Sequence, residues 1–233
     1  MNDLDSDTIP LKIVLIGEAG VGKTSIISQF IDKIFQEDLQ ASTGGTFCSK
    51  TLNLENGQTI KFDIWDTAGQ EKYRSLTKLF YKDSSAAILV YDITRQDSFD
   101  ELKNYWAKQI TEETTNSKII LVVDANISDL SEKEVVDELK VRKFPEEINA
   151  LFCISSAKSS IGINELFLEI AKKYRGNNDI KVKKEEGKKE EQNEIDEEKD
   201  DEMFKKVGRM KITKEKLSVK IKLQKRNVVK NKK

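Results

Sequence analysis

Trp65-Asp66-Thr67-Ala68-Gly69-Gln70-Glu71 brings together, in one short run, side chains that could cleave a nucleoside triphosphate. The Asp66 carboxylate can hold a magnesium ion through water. Gly69 lacks a side chain, so its backbone N–H can approach a terminal phosphate. The Gln70 amide both donates and accepts hydrogen bonds and can orient an attacking water. A D-x-x-G string alone says little, but this one has a phosphate loop upstream. Gly17-Glu18-Ala19-Gly20-Val21-Gly22-Lys23-Thr24 matches G-x-x-x-x-G-K-[ST] at every fixed position. The three glycines let the backbone curl its N–H groups around phosphate oxygens, and a helix N-terminus behind them adds positive potential. Lys23 is placed to reach the β- and γ-phosphates and Thr24 to offer its hydroxyl to magnesium. Ser25 completes the set of loop residues counted with the nucleotide.

Selection of the base is expected beyond later strands. Asn126-Ile127-Ser128-Asp129 follows the apolar run Ile119 to Val123. Asp129 can accept two hydrogen bonds, from guanine N1–H and the 2-amino group. Adenine offers no such donor pair and would leave a buried carboxylate unpaired. Ser156-Ala157-Lys158 follows the next strand, and its backbone can meet guanine O6. Phe35 can stack on the edge of the base.

These residues need a scaffold, and the pattern is alternating strand and helix. Strands are predicted over 11–16, 46–54, 59–65, 86–92, 119–124 and 151–154, and helices over 23–32, 72–80, 97–112, 131–139 and 163–174. Glu55-Asn56-Gly57-Gln58 reads as a hairpin turn between the second and third strands. The expected fold is α/β: a six-stranded, mostly parallel sheet with one antiparallel edge strand and helices on both faces. Its site lies at the carboxyl ends of the strands.

With these motifs on the page, the chain resembles the Ras-like small GTPases, and within them the Rab family. Lys61 to Glu71 is similar to the Rab strand and switch II, and Lys72-Tyr73-Arg74-Ser75-Leu76-Thr77 to the segment after it. Phe80-Tyr81-Lys82-Asp83 resembles the Y-Y-R-G box, with Asp83 in place of Gly. Leu89-Val90-Tyr91-Asp92-Ile93-Thr94 fits the family box fully. Phe47 to Thr51 and Lys82-Asp83-Ser84 are similar to the Golgi branch, whereas Asn164 to Lys172 resembles the early-endosomal branch. The mixture does not settle a subfamily.

The resemblance implies slow GTP hydrolysis with Gln70, Lys23 and Gly69 as the catalytic set. It implies magnesium held by Thr24, Ser42 and, through water, Asp66. It implies an exchange factor, a GTPase-activating protein, and effectors that read segments 40–47 and 67–80. Phe47, Trp65 and Phe80 fall where the family shows an aromatic effector triad, with plain core packing as the competing reading. The implied role is a switch in vesicle-mediated protein transport. Two departures stand in functional positions. Ser42-Thr43-Gly44-Gly45-Thr46-Phe47 replaces T-I-G-x-x-F, so the magnesium hydroxyl falls on Ser42, with Thr43 as a competitor by a one-residue slip. Ile127 replaces the lysine of N-K-x-D, which lies along the base and braces the phosphate loop. Weaker nucleotide binding and faster exchange are expected. The alternative is an interaction protein with a degraded nucleotide site whose tail docks on a larger assembly. No arginine stands at an obvious catalytic finger position.

Three parts are expected: a flexible N-terminus over 1–10, a GTP-binding domain over 11–175 and a charged, disordered tail over 176–233. The tail is dipolar. Residues 190–202 carry nine acidic residues against Lys199, and 203–233 carry thirteen Lys and Arg against Glu215. Such blocks stay solvated or attract one another. A basic arm on an anionic membrane is the second reading, and nucleic acid is disfavoured because aromatics are scarce. The alternation Leu217, Val219, Ile221, Leu223 is similar to the Rab element that docks on prenylation escort proteins, but no cysteine follows it. Without histidine, His-based triads and most zinc sites are excluded. Cys48 and Cys153 read as reduced, packed thiols, and the expected location is cytoplasmic or on the cytosolic face of endomembranes.

Overall fold

Apolar residues alternate along the strands between two faces, so the sheet must be covered twice. The computed structural model describes residues 8–40, 42, 44–54, 57–67, 69, 79–114 and 118–176. The strands are β1 (Thr8–Ile16), β2 (Thr46–Asn53), β3 (Thr59–Asp66), β4 (Ala86–Asp92), β5 (Ile120–Asn126) and β6 (Leu151–Ile154). They form one six-stranded sheet in the order β2-β3-β1-β4-β5-β6. Only β2 runs antiparallel to its neighbour, as an edge strand on β3. Among the described residues, four longer helical segments cover the faces: α1 (Lys23–Asp32), α2, α3 (Glu138–Glu147) and α4 (Ile163–Arg175). The second, α2, is α-helical over Gln96–Glu101, a π turn over Leu102–Trp106, and α-helical again over Ala107–Glu113.

Leu11, Ile13 and Leu15 of β1, with Ala86, Ile88 and Val90 of β4, face α1 and α4. Val14 and Ile16, with Ala87, Leu89 and Tyr91, face α2 and α3. In the first core the Phe30 and Phe167 rings stack at 3.7 Å, and Phe62 meets both edge-on. The central strands β4 and β5 are buried along their whole length, the signature of a parallel strand with helices on both sides. All chain reversals after the parallel strands open at one end of the sheet, and the functional motifs fall there.

Two elements differ from the sequence reading. β1 begins at Thr8 rather than Leu11, because Thr8 to Lys12 pair with β3 while pairing to β4 starts only at Ile13. Pro10 is tolerated there because β1 has a single neighbour at that level. The helix predicted over 131–139 is absent. Instead a 3₁₀ segment spans Ser128–Lys133 and α3 begins at Glu138. Between them the Val135 N–H donates to the Ile93 carbonyl at 3.0 Å, holding the chain extended. Asp137 then caps α3 by accepting from the Lys140 N–H at 3.0 Å. The helix expected over 72–80 lies largely outside the described residues, as do Gln70, Thr43 and the tail beyond Gly176.

Candidate nucleotide site

β1 ends at Ile16 and α1 begins at Lys23, so residues 17–22 form a loop between a central strand and a helix N-terminus. Gly22 takes φ +89° there, and a Cβ on it would lie 2.3 Å from the Asn126 amide nitrogen. Asn126, at the end of β5, uses that closeness to donate to the Val21 carbonyl at 2.8 Å. Lys23 is buried under the loop and donates to the carbonyls of Gly17 (3.0 Å) and Glu18 (2.8 Å). Burial pulls its ammonium down to about 8, against the attraction of Asp66 and Glu18.

At the mouth of the loop three side chains from three segments meet. The Thr24 hydroxyl donates to Asp66 Oδ2 at 2.6 Å and lies 2.9 Å from the Ser42 hydroxyl. Asp66 Oδ1 is buried and has no hydrogen-bond partner. Burial raises the Asp66 pKa despite the hydrogen bond from Thr24 and the charge of Lys23. An orphaned carboxylate oxygen beside two hydroxyls is a set of hard oxygen donors, which fits a magnesium ion. Among the described residues no group of three or more His, Cys, Asp or Glu is placed to hold a metal. Gly69 is pressed onto the loop: a Cβ on it would lie 2.4–2.5 Å from backbone atoms of Glu18 and Ala19.

The cleft above these groups has a volume of about 360 Å³ and runs from Lys23 and Thr24 past Phe35 to Asp129 and Lys158. At its far end Ser156 donates to Asp129 Oδ1 at 2.7 Å, and the Ser155 hydroxyl donates to Asp124 (2.7 Å) and Asn126 (3.3 Å). The Ala157 N–H reaches Asn126 Oδ1 at 3.4 Å. Lys158 pairs with Glu37 across the cleft rim. Ile127 lines the cleft with φ +67°, a left-handed conformation that a β-branched side chain disfavours.

The arrangement is a glycine loop at a helix N-terminus, a cluster of hard oxygen donors and the Asp129 carboxylate along one cleft. The family model described as the Ras family matches residues 12–176. The chain is a Ras-family small GTPase. Its Rab character rests on relatives: the Ras-related protein Rab-22A of Mus musculus, Homo sapiens and Canis lupus familiaris are each 40% identical over 163 residues, 70% of this chain and 82% of theirs. As a member of this family the protein is a GTPase, and small GTPases act as switches.

In this Rab-type GTPase the cleft gathers Ala19, Gly20, Gly22 to Ser25, Phe35, Ser42, Gly69, Asp129, Ala157 and Lys158 on its walls. Gly17, Glu18, Val21, Asp66, Asn126 and Ser156 stand behind them. Asn126 and Ser156 are buried and act by holding Val21 and Asp129. Phe47, Trp65 and Phe80 form a continuous aromatic row, with centroids 5.1 and 5.3 Å apart, and Phe47 is half exposed. Gly45 lies under the Phe80 ring, and a Cβ there would come within 2.3 Å of it. Two residues in contact with the loop carry no motif. Arg95 donates to the Ala19 carbonyl at 3.0 Å, and the Trp106 indole donates to the Glu18 carboxylate at 3.2 Å. The signal that could have found Arg95 is its place just past the carboxyl end of β4, where sites in this fold class gather.

Proposed function

We propose that this GTPase is a magnesium-dependent switch in vesicle-mediated protein transport, with residues 11–175 as the GTP-binding domain. The observation that carries it is the meeting of Thr24, Ser42 and Asp66 beside the buried Lys23, with the unpartnered Asp66 Oδ1 among them. Magnesium, when bound by Thr24, Ser42 and Asp66 through water, would neutralise charge on the phosphate oxygens. Lys23 and the N–H groups of the loop hold the β- and γ-phosphates. The Gly69 N–H holds the γ-phosphate, and Gln70 orients the attacking water for in-line displacement. Asp129, kept in place by Ser156, selects guanine, and Phe35 covers the base. Turnover without a partner is slow, on the order of 10⁻⁴–10⁻³ s⁻¹, the scale of Ras-like enzymes whose finger arginine comes in trans.

The switch reading rests on Ser42 and Gly69. Both touch groups that would meet the γ-phosphate end, so loss of that phosphate releases the segments that carry them. Phe47, Trp65 and Phe80 then serve as the effector surface in the GTP state. Exchange factors and activating proteins act on the same segments, and residues 203–233 contact the anionic cytosolic face of endomembranes. Single-turnover phosphate release, with Gln70→Leu as the control, tests the assignment. Magnesium-dependent release above that control supports it. Release no faster than the control, from protein purified free of nucleotide, would establish the degraded interaction protein instead.

A further inference from the structure

We propose that Arg95 is a positioning residue that braces the phosphate loop from outside the cleft, standing in for the cation that Ile127 cannot supply. The inference rests on the GTPase site described above and concerns what holds that site in shape. A phosphate loop that turns N–H groups toward its ligand leaves carbonyls that need donors of their own. In this chain Lys23 takes the Gly17 and Glu18 carbonyls from the cleft side, whereas Asn126 takes Val21 and Arg95 takes Ala19 from outside it. The Trp106 indole holds the Glu18 side chain as well.

Arg95 is built for this contact. Its Nε and Nη2 fork onto Asp97 at 3.5 and 3.2 Å, which leaves Nη1 directed at Ala19. Its backbone is fixed too: the Arg95 N–H donates to the Asp92 carbonyl and the Arg95 carbonyl accepts from the Ser98 N–H. Asp92 in turn accepts from the N–H and hydroxyl of Thr94. Arg95 Nη1 would lie 3.4 Å from a Cβ on Gly20, and Arg95 does not line the cleft. It therefore acts on the loop rather than on the nucleotide. Trp106 lies at the end of the π turn in α2, and such turns are often found beside functional sites.

A charge-assisted hydrogen bond to Ala19 keeps the adjoining N–H groups pointed at the phosphates. On the opposite wall Ile127 occupies the left-handed position with a hydrocarbon side chain and contributes no such bond. A cation introduced there would share the task of Arg95, and the two should be energetically coupled.

Release of fluorescent GDP from the full chain in the presence of magnesium reads this coupling. Arg95→Ala is expected to speed release about tenfold, and Ile127→Lys in that background to return it close to the unaltered rate. In the unaltered chain Ile127→Lys slows release only about threefold, because the loop is already held. Asp97→Asn, which keeps the arginine but frees its fork, speeds release in the same direction by less. The nucleotide-free unfolding midpoint of Arg95→Ala stays near that of the unaltered chain, which separates a brace from a general prop. A release rate within twofold for Arg95→Ala overturns the inference, as does an equal effect of Ile127→Lys with and without Arg95. Failure of the unaltered chain to retain GDP overturns the nucleotide-switch reading itself.

Discussion

The two ends of the cleft lie on either side of β4, one after β1 and β3 and the other after β5 and β6, and they are held in different ways. At the phosphate end, Thr24 links Ser42 to Asp66, and the loop carbonyls are taken up by Lys23, Asn126 and Arg95. At the base end, Asp129 accepts a hydrogen bond from the Ser156 hydroxyl, and Ile127 beside it sits in a disfavoured backbone region. Asp124, one layer down, is fully buried with one carboxyl oxygen unpartnered. The difference follows from charge. The phosphate end handles a polyanion and must be preorganised by many donors, whereas the base end needs only a few hydrogen bonds of the right polarity.

The largest expected effect breaks the phosphate end. Lys23→Ala should weaken GDP binding by about 10³-fold or more, since it removes a buried cation and strips Gly17 and Glu18 of their donor. Equilibrium titration with fluorescent GDP checks this, and binding within tenfold of the unaltered chain would contradict it. Asp129→Ala acts on the other end. Loss of two hydrogen bonds from a carboxylate should cost about 10²-fold in guanine affinity while tightening nothing for adenine nucleotides. Competition of GDP and ADP for the same site reads that selectivity, and unchanged discrimination would remove Asp129 as the base reader.

The third effect probes what lies beneath the base end. Desolvation pushes the Asp124 carboxyl up to about 7, with only the Ser155 hydrogen bond pulling it back. An unfolded aspartate titrates near 4, so between these values the folded state binds more protons. Stability therefore falls as pH rises through that window and levels off above it. Asp124→Asn should remove a loss of about 2 kcal/mol between pH 5 and 7.5. Urea midpoints of the nucleotide-free protein at the two pH values decide it, and parallel slopes for both proteins would exclude Asp124 as the cause. The smallest expected effect repairs the base end. Ile127→Lys should slow GDP release about threefold in the otherwise unaltered chain, with a gain from a less strained backbone as well as from the ammonium.

Much of the site was legible because its chemistry is carried by contiguous strings. G-x-x-x-x-G-K-T needs its residues adjacent, since one loop must present successive N–H groups. The meeting of Thr24, Ser42 and Asp66 was implied by the resemblance to the Rab family rather than by any one string. The helix at 131–139 was misread because the Val135 N–H is claimed by the Ile93 carbonyl, a contact between residues far apart in sequence. The place of Gly45 was not legible, because the ring that needs its bare Cα comes from Phe80.

The sequence by itself carried the strings from which the reaction class and the family could be read, because the phosphate loop and the D-x-x-G string have local spacing. Only the tertiary structure decided how the loop is held. Arg95 lies 76 residues from Ala19, and Trp106 lies 88 from Glu18. Neither pair belongs to a motif, since α2 comes beside the phosphate loop only when the sheet places β4 next to β1. Contacts of that kind depend on three-dimensional position rather than on spacing along the chain, and it is there that a GTPase without its usual lysine keeps its phosphate loop in place.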